Sequence, residues 1–477
     1  MIKATFMVFL GCLFIMPNLS SYGLDGVVSD GNLMIDGAES ANWTVMYYLC
    51  GENHVSYVAK EMLDNLTKVG SSNDFNLIVL RDGNQQGDSA LYYIEEGRTV
   101  NLNTLYSWPN ELDMGDPNTL KAFLNLVMED YPAKHYALMI LSDCGSGWQG
   151  ICRDAGARNN GIPLMTMPTF ADVLKDVTND GEKKIDVIGF MPCVTGMFEV
   201  AYELAPYVDY MVASEEHLLE RLDNGQEYVW RYLEPTWDLK NHTDMKAEEF
   251  ASSIVDYYRP CDFPLWVFYG YMVIVKKGEY GRPVEFLSNI LTRTLNSLPN
   301  PEWHIVATHT TLSAVNLSKV DQVARAIDNL SSLLLLNKYS SDVRNSIINA
   351  RSEVREYGKS YVKDRSTVIQ YINFPIEKLA FDSFVDLYDL VQLLNESVEN
   401  QAVKNACKDV MLKLNIAVIA NKAMPNDDSH GLSIYFPENK DLYNRYLWSD
   451  ELPSPYENLR FSKDTRWDEF LKEYLGI

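Results

Sequence analysis

The strongest constraint on the fold is an alternation that begins at Trp43. Short apolar runs of strand length are separated by stretches in which apolar residues recur at helical spacing. Strands are expected at Trp43–Cys50, Phe75–Arg81, Leu91–Glu96, His135–Ser142, Ile185–Phe190 and Val208–Ala213. Helices are expected at Val55–Leu66, from Asp116-Pro117 to about Glu129, at Thr169–Val177 and at Gly196–Leu204. Asp before Pro suits a helix start, because the carboxylate accepts from free N–H groups and proline has none to lose. The His135–Ser142 run is almost wholly apolar, as a strand buried on both faces must be. Strand–helix–strand repetition implies right-handed crossovers, so the fold class is α/β, a parallel-dominated sheet flanked by helices.

Past about residue 235 the pattern changes to longer helical stretches, at Ala247–Tyr258, Lys319–Leu336, Ser341–Arg355, Asp386–Leu394 and Ala402–Leu414. Strand candidates return at Ile416–Ala420 and Gly431–Phe436. The expected organisation is a sheet domain over 40–235 and a mainly helical C-terminal region with a few strands over 236–477, packed on it.

The N-terminus reads as a signal peptide over residues 1–23. Lys3 precedes an apolar run from Ala4 to Met16, Pro17 breaks the run, and Ser21-Tyr22-Gly23 offers small residues at a cleavage point. That run is shorter than the roughly 20 residues needed to span a bilayer. A secreted, periplasmic or extracellular location follows, with no membrane attachment after signal removal. The formal charge of −25 fits poorly with a phosphate backbone, so no nucleic-acid partner is expected. Seven cysteines in 477 residues do not make a disulfide scaffold. No C-x-x-C or H-E-x-x-H spacing occurs, so neither a metal nor a cofactor is expected.

In a parallel sheet the loops leaving the carboxyl ends of the strands share one edge, and ligands bind there. Two such loops carry cysteine. Leu141-Ser142-Asp143-Cys144-Gly145 follows one strand, and Met191-Pro192-Cys193 follows another, 49 positions later (193 − 144). These segments, with WTVMYYLCGEN at the start, VDLYDLVQLL, GLSIYFP and the closing WDEFL, resemble the clostripain family of cysteine peptidases in the caspase-like clan. The resemblance spans nearly the whole mature chain. It implies a caspase-like sheet, a peptide or protein ligand in the strand-end cleft and, for the family, cleavage after Arg or Lys.

Carried over position by position, the resemblance puts Cys193 at the nucleophile and Gly145 where a main-chain N–H completes the oxyanion hole. It puts Cys144 at the family histidine, and Met191 at the acid that pairs with a basic substrate side chain. A pseudo-peptidase is the expected result. The alternative is an active endopeptidase with a displaced base such as His217. Cys144 is an inert packed thiol, a disulfide partner of Cys193 or Cys152, or a functional group. Asp143, Glu215 and Glu216 are expected on a solvated acidic face, with a replacement specificity pocket as the other reading. Arg153 and Arg158 fall in the segment that family members can cut during processing. Calcium is a family possibility, but no D-x-D-x-D-G loop marks a site.

Overall fold

Alternation of side chains on the first strand divides the interior into two layers. The computed structural model describes residues 40–53, 55–142, 147–154, 164–192, 194–216, 232–259, 262–263, 308–357, 384–424, 427–444 and 454–477. Strand β1 (Ala41–Cys50) points Met46, Tyr48 and Cys50 into one buried cluster and Trp43, Val45, Tyr47 and Leu49 into another. A period of two with both sets buried is what a central strand requires. The signal-peptide expectation lies outside the described residues.

The central sheet has nine strands among the described residues. They are β1, β2 (Phe75–Asp82), β3 (Ala90–Glu95), β4 (Arg98–Asn101), β5 (Ala133–Leu141), β6 (Ile185–Phe190), β7 (Val208–Ala213), β8 (Leu312–Asn316) and β9 (Val418–Lys422). The order across the sheet is β9-β8-β7-β6-β5-β1-β2-β3-β4. Strands β2, β1, β5, β6 and β7 are parallel to their neighbours in that run. The hairpin β3–β4 adds antiparallel strands beyond β2, and β8 and β9 add antiparallel strands beyond β7.

Helices Pro117–Asp130, Met167–Val177, Phe198–Leu204, Val320–Leu336 and Gln401–Ala417 bury their apolar faces in the first cluster. Ser56–Val69, Leu233–Asn241 and Ala247–Tyr257 bury theirs in the second. The expected Asp116 cap is present, its carboxylate accepting from the Asn118 N–H at 2.9 Å.

Two features differ from the sequence reading. The sheet continues past residue 235, because β8 and β9 come from the C-terminal half and Ala41–Ile477 clusters as one unit. The helix after β6 starts at Phe198 instead of Gly196. The Gly196 N–H donates to the Ser214 carbonyl at 2.7 Å, and its carbonyl accepts from the Ser433 N–H at 2.9 Å. Those bonds hold Gly196 in an extended crossing. A Cβ there would lie 2.6 Å from the Ser214 carbonyl carbon, so only glycine lets the two loops approach.

Candidate active site at the carboxyl edge of the sheet

Strand register puts the two cysteine-bearing exits side by side. Ile140 of β5 pairs with Phe190 of β6, and the Met191 N–H donates to the Ile140 carbonyl at 2.9 Å. Position 144 follows the end of β5 by three residues, and position 193 follows the end of β6 by three. Cys144, Gly145, Cys193, His217, Asp143 and Arg158 themselves lie outside the described residues.

The chain around these positions is tightly held. Tyr232 donates its hydroxyl to the Phe190 carbonyl at 2.7 Å, fixing the end of β6. Val194 has φ of 51°, a left-handed conformation that a β-branched side chain strongly resists. Such strain costs on the order of 1–3 kcal/mol and persists only where the surroundings impose it. Here the Val194 N–H donates to the Glu216 carbonyl at 3.2 Å, and the Thr195 hydroxyl donates to the Pro192 carbonyl at 3.1 Å.

The segment after position 146 docks on the same turn. Gly147 has φ of 57°, and a Cβ on it would lie 2.6 Å from the Met197 sulfur and 3.1 Å from the Phe384 ring. Trp148 is buried, with ring centroids 5.3 Å from Tyr435 and 5.1 Å from Tyr456. The two family-like segments are therefore joined through Gly147 and Met197 and anchored on the C-terminal half.

Met191 is half-buried and packs against the second apolar cluster. Glu215 and Glu216 are not on a solvated face: they are 0% and 2% exposed. Glu215 accepts from the Ser429 hydroxyl at 2.6 Å and from the Gly431 N–H at 3.1 Å. Burial, then the neighbouring Asp386, pushes its carboxyl well above the usual carboxylate range. No local pattern signals this, because the partners lie more than 200 positions away.

One imidazole missed in the sequence reading is tied to this edge. His430 Nδ1 lies 3.3 Å from Asp386 Oδ1, its ring stacks on Tyr388 at 4.2 Å, and its main-chain N–H donates to Asp386 at 2.6 Å. Burial alone would lower its pKa, but Asp386 outweighs burial and holds it above the ordinary value.

Arg153 stands in a mostly buried stretch, and its carbonyl accepts from the Asn53 amide at 3.1 Å. Cys152 is a buried free thiol, so the expected alternative of a bridge between Cys144 and Cys152 is not formed.

A central parallel sheet covered by helices on both faces, with the candidate groups on its carboxyl edge, defines a caspase-like α/β protein. The sequence profile of the Clostripain family matches residues 47–264 and 268–474, and the chain belongs to that family. Clostripain of Hathewaya histolytica is 22% identical over 466 residues, covering 86% of this chain and 77% of its own length. An inactive zymogen C11 protease from Parabacteroides distasonis superposes with a TM-score of 0.53 at 18% identity, covering 90% of this chain and 99% of that one. A secreted C11 cysteine protease from Bacteroides thetaiotaomicron, solved with an irreversible peptide inhibitor, gives 0.51 at 17% identity, covering 90% and 100%. At these identities the solved structures establish the fold.

Proposed function

We propose that this chain is an exported clostripain-family protein whose peptidase site has lost turnover and retains a cleft for a peptide or protein ligand. The observation that carries the reading is the pairing of the β5 and β6 exits. There the chain offers Cys144 in place of the family histidine and Met191 in place of the acid, while Cys193 keeps the nucleophile position. Cysteine proteolysis needs a base to form the thiolate and an acid to protonate the leaving amine. An imidazole with pKa near 6.5 serves both steps. A thiol with pKa near 8.5 is mostly neutral at pH 7 and, once ionised, repels a second thiolate. Loss of the base costs on the order of 10²–10⁴ in rate. Loss of the acid at position 191 leaves a bound Arg or Lys without its counter-charge.

A second reading keeps catalysis with a displaced base. His217 was the sequence candidate, and His430 gains support from its contact with Asp386. If a loop is processed, Arg158 is the better cleavage point, because the Arg153 peptide is held by Asn53. The deciding experiment is hydrolysis of Arg- and Lys-containing peptides by the purified chain beside Cys193→Ala. Negligible turnover in both, with partial recovery in Cys144→His and more in Cys144→His/Met191→Asp, supports the proposal. Robust wild-type turnover abolished by Cys193→Ala refutes it, and loss of that turnover in His217→Ala or His430→Ala would identify the base.

A further inference from the structure

The loop that leaves β7 is joined to two other segments around a pair of buried acids. Glu215 and Asp386 are both 0% exposed, and Asp386 lies within hydrogen-bonding reach of the Glu215 carboxyl. Glu215 Oε2 accepts from the Ser429 hydroxyl at 2.6 Å and from the Gly431 N–H at 3.1 Å, whereas its buried Oε1 has no donor. Asp386 is better supplied. It caps the Leu387–Ser397 helix by accepting from the Asp389 N–H at 2.7 Å. It also accepts from the main-chain N–H of His430 at 2.6 Å, and the His430 ring nitrogen lies 3.3 Å away. Two ionised carboxylates in contact inside a protein offer each other only acceptors and like charge, so the pair keeps one proton. The donors decide where it sits: on Glu215, shared with an ionised Asp386. Burial, then Asp386, holds that proton on well above the usual carboxylate range.

The charges around the pair do little to replace the proton. Arg355 is committed to Asp427, 2.9 Å away, and lies 5.1 Å over the Tyr357 ring, whose hydroxyl also donates to Asp427 at 2.9 Å. Tyr357 feels Glu215, Asp386 and Asp427, and Arg355 feels Glu216 as well as Asp427. On the far side of Asp386, His430 faces Asp389 and accepts no share of Glu215, its ring being drawn to Asp386 and to the Asp428 carbonyl at 2.8 Å. Asp428 and Asp386 both act on Asp389, which adds further negative charge to that side.

We propose that the proton shared by Glu215 and Asp386 is a latch that holds the turn after position 193 to the C-terminal half of the chain and opens when the proton leaves. The same segments share main-chain bonds: the Val194 N–H donates to the Glu216 carbonyl, the Gly196 N–H to the Ser214 carbonyl, and the Ser433 N–H to the Gly196 carbonyl. Without the proton, two buried anions repel, the 214–216 loop parts from the 429–433 stretch, and the bonds that hold residues 194 and 196 lose their support. The folded state holds this proton more tightly than the unfolded state, so the latch is complete below the ordinary value of 4.5 and is lost as pH rises through the folded value. Each pH unit beyond that value weakens closure about tenfold. The inference holds whether or not position 193 turns over a substrate.

The test is hydrogen exchange of the full chain from about pH 6 to 9.5, read at the 194–196 and 431–433 amides with the amides of β1 as the reference for global unfolding. Protection is corrected for the intrinsic pH dependence of exchange. The expected result is a selective fall of at least about tenfold at the two segments as pH rises in the wild type. Glu215→Gln keeps an acceptor for Ser429 and Gly431 and gives Asp386 a permanent donor, so protection should stay flat. Asp386→Asn removes the other charge of the pair and should flatten it too. His430→Gln and Glu199→Gln, which remove neighbouring groups that titrate in this range, should leave the wild-type fall in place. The proposal is overturned if the wild type shows no selective fall, or if Glu215→Gln or Asp386→Asn, folded by circular dichroism, keeps it. It is overturned equally if the fall vanishes in His430→Gln or Glu199→Gln.

Discussion

Replacing Glu199 by glutamine should reshape the pH dependence of stability. Glu199 is fully buried in the first turn of the Phe198–Leu204 helix. One oxygen accepts from the Tyr435 N–H at 2.9 Å and from the Tyr456 hydroxyl at 2.8 Å, and the other has no partner. Burial pushes the carboxyl from 4.5 up to about 7, against the pull of those hydrogen bonds. The folded state therefore holds the proton more tightly than the unfolded state. Below about pH 4.5 both states are protonated, and the native advantage is complete. Between pH 4.5 and about 7 the unfolded chain sheds its proton first, so stability falls as pH rises. Above pH 7 both states are ionised, and the full cost of the buried charge remains. At about 1.4 kcal/mol per pH unit of separation the cost is roughly 3 kcal/mol, an order-of-magnitude figure.

Glutamine keeps the carbonyl that Tyr435 and Tyr456 need and removes the charge. Wild type and Glu199→Gln should unfold alike near pH 4.5 and diverge as pH rises. By about pH 8.5 the variant should be more stable by roughly 3 kcal/mol, or about 3 °C in thermal midpoint for a chain of this size. The informative quantity is the difference between the two curves, because other acids titrate in both proteins. Curves that stay parallel from pH 4.5 to 8.5, or a glutamine variant that loses stability at high pH, would refute the reasoning.

Three further outcomes are expected. Gly147→Ala should destabilise the chain by at least about 1–2 kcal/mol, because alanine resists the left-handed backbone and its Cβ meets Met197; an unchanged denaturation midpoint would argue against that docking. Arg351→Ala should cost about 3–5 kcal/mol by removing the guanidinium 2.6 Å from the buried Glu356 carboxylate, whereas Arg351→Met/Glu356→Leu should restore much of the loss. Equal midpoints for the single and double variants would sink that account. A lysine-terminated peptide electrophile should label wild-type Cys193 at a rate near that of an ordinary thiol, and Cys144→His on the order of 10²-fold faster. Equal rates would remove position 144 from the chemistry.

Much of the parallel sheet was legible because its evidence is local. The runs at Ile185–Phe190 and Val208–Ala213 give the bounds of β6 and β7, since apart from one acid near the start of each, Asp186 and Asp209, they are apolar or glycine. Strand β8 escaped notice: Leu312–Asn316 is short and follows the polar stretch Thr308-His309-Thr310-Thr311, and only pairing with β7, about 100 residues earlier, makes it a strand. The candidate site divides the same way. Positions 144 and 193 stand out as candidates because each follows its strand directly. Buried Glu215 was misjudged, because a carboxylate carries no local sign of remote donors such as Ser429 and Gly431.

On the proposed reading, this geometry would let a peptidase fold keep its shape while its chemistry is lost. The contacts that set the turn between β6 and the next helix are mainly main-chain bonds, from Met191 to Ile140, from Val194 to Glu216, from Gly196 to Ser214 and from Ser433 to Gly196. None uses the side chain of residue 191. Strain at Val194 is imposed by those bonds and persists whichever groups face the cleft. The backbone that aims the strand-end side chains is held by these four bonds. On the proposed reading, Cys144→His and Met191→Asp would therefore restore function by replacing side chains on an intact frame. Recovery limited by the positioning of the new groups, seen as a lowered kcat with folding unchanged, is the expected signature. Recovery that failed because either variant unfolded would show that cysteine and methionine had become part of the packing.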